Sequence, residues 1–311
     1  MTSAAAPLRQ GPSLTVFRPA SAIGVAYGGA VVIFCFALSV LMLFKGFGHD
    51  VEFSQLYPFL AAGFFFGLGS LYLYWTWACR SLSYVIDRNA FSIKWGGLQQ
   101  VIPLDKIERL VPAEEAENPT IEGVSWLGHH VGRGFVPVMG GGVLFYSAHR
   151  SISEVLYVQT EEETYAISVP DHIVFAETIQ AAQARGSLFD QRQAVHRWGL
   201  ASQSFWLDAN ARLLAAVLIA CFVAVLGYVL HEYPGLPQSV PLRFPSLGGI
   251  VRVSDKSELL DIPRSGLGFL AANLTLAVLL HSWERMVGYV LLLAGIAVQV
   301  MLLVAAIVAV A

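Results

Sequence analysis

Five apolar runs, each about as long as a membrane-crossing helix, constrain this chain more than any other feature. A hydrocarbon core about 30 Å thick takes roughly 20 helical residues, because only a helix or a closed barrel satisfies its own backbone where water is absent. The runs lie at about 23–44, 56–78, 213–230, 263–280 and 286–310. The polar loop KGFGHDVEFSQ joins the first two and HSWER the last two, so the expected layout is a helical hairpin, a single span and a second hairpin. Composition agrees: 56% of the 311 residues are hydrophobic and only 13% are charged, which excludes a wholly soluble protein. Arg9 and Arg18 precede the first run as they would in a signal peptide. That run is too long for such a peptide, lacks an A-x-A site and is followed at once by a second span, so it is read as retained.

The basic residues suggest an orientation. Arg9, Arg18, Arg80 and Arg212 flank one side of the first three spans and Lys45 alone the other, which favours a cytoplasmic N-terminus and a cytoplasmic central region. Arg243, Arg252, Lys256 and Arg264, between spans three and four, pull the other way; Arg264 is placed to snorkel to the interface. Trp75, Trp77, Trp206 and Trp283 fall near span ends, where amphipathic rings anchor. The chain then divides into a tail (1–22), a transmembrane hairpin (23–79), a soluble domain (80–206), a third span (207–231), an outer Pro/Gly loop (232–262) and a second hairpin (263–311).

In the central region the pattern changes from continuous to alternating hydrophobicity. SLSYVID, FSIKWG, QQVIPL, KIERLV, VLFYSA, EVLYVQT and ETYAISV carry β-branched or aromatic residues at a period of two, separated by turn signals such as DRNA and Gly96-Gly97. EEE forms an acidic tip between the last two. DHIVFAETIQAAQARG then reads as a helix, with Asp171 as N-cap, Arg185 in its last turn, Gly186 as stop and Phe175, Ile179 and Ala182 on one apolar face. Seven strands and a C-terminal helix make the layout of a pleckstrin-homology-type domain, a bent seven-stranded barrel or sandwich closed by the helix; the pattern also allows another small β-barrel. The fold class expected is thus a multi-pass α-helical membrane protein with an inserted β domain.

The segments YVIDRNAFSIKWG, VIPLDKIERLV, SWLGHHVGRG and YVQTEEETYAISVPDHIVF resemble, in this order, the bacterial pleckstrin-homology-like domains of membrane-anchored proteins. The resemblance implies that fold and a bacterial cell-membrane location. Phosphoinositide binding does not carry over, since it needs clustered Lys and Arg. Residues 80–206 hold ten basic and fourteen acidic side chains, and the first turn offers only Arg88 and, further on, Lys94. An acidic surface is repelled by anionic leaflets, so a protein partner is the better expectation.

The connection from Ala113 to Gly142 is long, and long loops are often functional. Its part VSWLGHHVGRGFVPVMGGG holds the candidate partner-binding residues: Trp126 to stack or anchor, and His129, His130 and Arg133 as donors. The opposing reading has Trp126 plugging the barrel while the glycines turn the chain. Metal binding by His129 and His130 is disfavoured, because neighbours on a strand point to opposite faces and no third ligand is spaced for it.

The loop after span three contains Leu236, Pro237, Val240, Pro241, Phe244, Gly248, Arg252, Lys256, Leu259, Leu260 and Pro263. In this order they resemble a small extracytoplasmic motif of a bacterial membrane domain shared with bacteriocin-immunity proteins. Arg243 and Pro245 stand where that family carries His and Asn or Asp. Arg252 and Lys256 are the candidate outer-loop contacts, for a partner or an anionic headgroup, with a purely structural cap as the plainer alternative.

Other classes find no support in the residues. Cys35, Cys79 and Cys221 have no pairable spacing, the charge of -3 offers no field for nucleic acid, and the span centres hold no ionisable residue for transport. His231 and His281 lie at span ends, so no tetrapyrrole ligand is deeply placed. No phosphate-binding loop or nucleophile motif occurs. The expectation is a non-enzymatic membrane protein without cofactor, surrounded by membrane lipids, whose β domain docks a protein partner. The alternatives are an accessory subunit of a larger membrane complex, binding through its spans, and an immunity-like or transport-related protein.

Overall fold

The long apolar runs form α-helices in a computed structural model that describes residues 8–10, 14–48, 50–113, 119–137, 141–186, 192–243 and 251–310. In chain order the helices are α1 (Ala22–Phe47), α2 (Leu56–Ser81), α3 (His172–Ala184), α4 (Ala209–Glu232), α5 (Asp261–His281) and α6 (Arg285–Val310). Among the described residues, all but α3 are long and apolar enough to cross a membrane, as the sequence indicates. By packing, the chain divides into two units: residues 1–36 with 67–202, and residues 37–66 with 203–311.

The strands of the first unit are β1 (Leu8–Gln10), β2 (Leu14–Phe17), β3 (Ser83–Ile86), β4 (Ala90–Trp95), β5 (Leu98–Pro103), β6 (Ile107–Pro112), β7 (Ile121–Trp126), β8 (His129–Val136), β9 (Gly141–Ser147), β10 (Val155–Thr160), β11 (Thr164–Ser168) and β12 (Ala194–Arg197). They make two six-stranded sheets, ordered β1-β2-β3-β4-β5-β12 and β6-β10-β11-β9-β8-β7. Every pairing in them is antiparallel except β11 with β9. The seven expected strands are all present, but the barrel is corrected: among the described residues neither sheet closes. The reason lies after Pro103, where a single 3-10 turn over 104–106 hands the chain to the second sheet, so that β6 pairs with β10 and not with β5. The count of seven is corrected as well, because β7, β8 and β12 also form, and β2 from the N-terminal segment pairs with β3.

Local chemistry fixes the turns. Asp87 Oδ1 accepts from the amides of Asn89 and Ala90 at 2.7 and 2.8 Å, an Asx turn between β3 and β4. Asp171 caps α3 by accepting from the amides of Ile173 and Val174, and Phe175, Ile179 and Ala182 are its buried residues, as the sequence pattern requires. Phe175 packs edge-on against Phe17 of β2 and Phe91 of β4, so the helix and both flanking strands share one apolar core. That core draws on both sheets: Tyr84, Phe91, Ile93 and Ile102 from the first meet Leu156, Val158, Tyr165 and Ile167 from the second.

Tyr84 links the two sheets at their centre. Its hydroxyl donates to the Tyr146 carbonyl at 2.7 Å and accepts from the Ser168 amide at 3.0 Å, with the residue fully buried. Tyr84→Phe would remove both hydrogen bonds that this hydroxyl makes inside the core, which costs about 1–3 kcal/mol. A chemical-denaturation midpoint unchanged by this substitution would show the linkage to be idle.

In the second unit α4, α5 and α6 pack through small residues and one buried amide. Gln299 Nε2 donates to the Gly266 carbonyl at 2.7 Å, and a Cβ at Gly295 would meet Leu218 at 3.1 Å. Between α4 and α5 the connecting loop forms a hairpin, β13 (Ser239–Arg243) with β14 (Val251–Asp255).

Candidate functional site

The residues singled out in the central connection belong to one hairpin, β7–β8, paired from Ile121 opposite Gly134 to Trp126 opposite His129. Its turn is Leu127–Gly128, with Gly128 at φ 76°, which glycine adopts without steric cost. The turn presses on α1 within the same unit. A Cβ at Gly24 would lie 2.3 Å from the Gly128 carbonyl oxygen and 3.0 Å from Cys79 Sγ, so the close approach needs glycine at both positions.

Trp126 reinforces this contact. Its indole N–H donates to the Gly24 carbonyl at 3.0 Å, and its ring lies 5.7 Å from that of Tyr72 and 6.4 Å from that of Trp75, both on α2. Trp126 is thus engaged with the chain's own helices and does not plug the β domain. His129 is 0% exposed, between Trp126 at 4.6 Å and Trp95 at 6.1 Å, and among the described residues neither ring nitrogen has a hydrogen-bond partner. Burial, with a smaller contribution from His130, holds its imidazole down at about 4.

His130 takes a different set of neighbours. Its ring stacks on that of His149 at 4.1 Å, and its Nδ1 lies 2.8 Å from Ser125 Oγ. His149 Nδ1 lies 2.8 Å from Ser147 Oγ. Burial lowers both imidazoles, and burial together with His130 brings His149 to about 4. Among the described residues no group of three or more His, Cys, Asp or Glu is placed to hold a metal ion.

Arg133 is exposed and pairs with Glu163 at 2.8 Å. Two residues on, Phe135 stands 63% exposed, in register with Arg133 on the outward face of β8. The four candidates therefore separate: Trp126 joins the helix contact, His129 is buried between Trp95 and Trp126, His130 joins a histidine pair, and Arg133 faces solvent. Sequence reading missed Phe135, which follows from the period of two once β8 is recognised as a strand. It also missed His149, which no local signal reveals; strand register brings Ser147 opposite His130.

In the loop between α4 and α5, Arg252 lies on β14 opposite Leu242; its side chain, and all of Phe244 and Gly248, fall outside the described residues. Lys256 turns its ammonium over the Tyr233 ring at 4.9 Å, while its amide donates to Gln238. Such a cation–π contact ties the loop to the end of α4.

With this geometry in place, comparison with known proteins gives one match. Residues 82–183 match the family model of the bacterial PH domain. The matched stretch, about a third of the chain, runs from the start of β3 to the end of α3 and includes both sheets' central strands. No curated protein and no solved structure matches the chain. The PH-like reading of the central domain thus has independent support, and the match does not reach the loop between α4 and α5.

Proposed function

We propose that this is a non-enzymatic membrane protein whose PH-like domain docks a protein partner at the cytoplasmic face. The observation that carries the reading is the division of labour on the β7–β8 hairpin. One end, Trp126 to His129, holds the domain on its helices; further along, Arg133 and Phe135 stand outward. A domain fixed in this way presents a constant face, and an exposed aromatic beside an arginine is the composition of interface anchors. The excess of four acidic side chains over residues 80–206 disfavours an anionic lipid as the occupant.

A photo-crosslinking residue at position 135, introduced into the full chain in native membranes, should give one discrete protein adduct. Arg133→Glu should reduce its yield about tenfold, as expected where a charge-assisted contact is reversed. Adducts only with lipid, or a protein adduct indifferent to Arg133→Glu, would refute docking on this face.

A second reading, association through the spans, has its own support. Gly63 and Gly67 lie four residues apart on α2, and a Cβ at either would meet open space. This spacing suits close helix approach in a bilayer. Adduct formation from position 63, with none from 135, would favour an accessory subunit.

A further inference from the structure

The second unit has a feature that docking by the β domain leaves unused. Ser204, Asp208, Asn210, Arg285 and Tyr289 line an open cleft of about 330 Å³ where α4 and α6 begin. Asp208 is its organising residue. Oδ1 accepts from the amides of Asn210 and Ala211 at 2.9 and 3.2 Å, capping α4, and Oδ2 accepts from the Tyr289 hydroxyl. Behind it His281, 1% exposed, brings Nε2 to 3.3 Å from Oδ2, without the geometry of a hydrogen bond at either ring nitrogen. A carboxylate offers about four acceptor positions, and these three hydrogen bonds leave Asp208, itself a lining residue of the cleft, with acceptor capacity to spare.

The cleft thus joins a fixed anion, Asp208, to a cation on an exposed side chain, Arg285. A ligand carrying a phosphate and a primary ammonium matches both. A simple anion would meet the Asp208 charge, and a quaternary ammonium has no N–H to donate. Trp206 and Leu207 beside the cleft, and Trp283 and Met286 around the start of α6, are exposed, with Trp283 at 87%. Rings and apolar chains at the ends of spans sit at headgroup level.

We propose that this cleft binds the headgroup of a membrane aminophospholipid, its phosphate on Arg285 and its ammonium on Asp208. Native mass spectrometry of the full chain, delipidated in detergent and re-exposed to equal amounts of phosphatidylethanolamine, phosphatidylglycerol and phosphatidylcholine, tests it. Retention of phosphatidylethanolamine should exceed that of the other two about tenfold, the scale set by one charge-assisted contact. Arg285→Gln should lower it about tenfold. Asp208→Asn keeps the cap, since Asn caps as well as Asp, and should abolish the preference over phosphatidylglycerol while leaving some binding. Equal retention of all three lipids, or a preference untouched by both variants, would overturn the proposal. Soluble glycerophosphoethanolamine should compete only weakly; competition equal to the lipid's would overturn the membrane source.

Discussion

Acidification from pH 7.5 to 5 should destabilise the β domain by about 2 kcal/mol for each of His129 and His149. Both are neutral in the folded chain down to about 4, whereas an exposed imidazole titrates near 6.5. Between these values the unfolded chain binds more protons, so stability is full above about 6.5 and falls as pH drops towards 4. The limiting loss is about 3 kcal/mol for each residue, from a 2.5-unit difference at 1.36 kcal/mol per unit. These are large effects because His129 is 0% and His149 7% exposed, and water does little to screen either. Trp95 and Trp126 flank His129, so their fluorescence reports the transition. Its melting midpoint should fall steeply from pH 7.5 to 5 in the full chain. His129→Leu, which removes two unpartnered buried nitrogens, should melt no lower than the parent at pH 7.5 and lose less on acidification. A midpoint independent of pH would show that these imidazoles are hydrated in solution.

The long apolar helices and most of the β domain were legible in the sequence because their signals are local. Apolar length gives the spans, alternation gives seven strands, and Asp171 with Gly186 brackets α3. The hairpin β7–β8 was not legible, since Gly123, Gly128, Gly132 and Gly134 depress strand propensity and its turn, Leu127–Gly128, lacks the usual Asn-Gly or Asp-Gly signal. Those glycines are there for contact: a Cβ at Gly132 would lie 2.2 Å from the Glu122 carbonyl across the hairpin. The same limit applies to the site. Composition marked Trp126, His129, His130 and Arg133 as unusual, but whether each meets a partner, a helix or another histidine depends on long-range pairing. The Asp208, His281 and Tyr289 group was missed for the same reason, since its members come from three separate helix ends.

Loss of the Trp126 side chain should release the β7–β8 hairpin from the helices. Trp126→Ala removes the half-buried ring packed on Tyr72 and Trp75 and the donor to Gly24, at a cost below the about 3–5 kcal/mol of a fully buried aromatic. Trp126→Phe keeps most of the ring and gives up only the hydrogen bond, so about 1 kcal/mol is expected. Gly24→Ala attacks the same contact from the other side. The added carbon would lie 2.3 Å from a backbone oxygen, which cannot rotate away as a side chain can, so α1 and the hairpin turn must separate, at about 1–3 kcal/mol. Amide exchange over residues 121–136 in the full chain reads the outcome. Protection should fall strongly in Trp126→Ala and Gly24→Ala, slightly in Trp126→Phe, and stay unchanged at β10 and β11, whose ladder does not depend on the contact. Equal loss at β10 and β11 would mean that Trp126 supports the whole domain and does not act as its anchor. Unchanged exchange throughout would mean that the hairpin is held by its own strand pairing, and that the domain's fixed presentation has another origin.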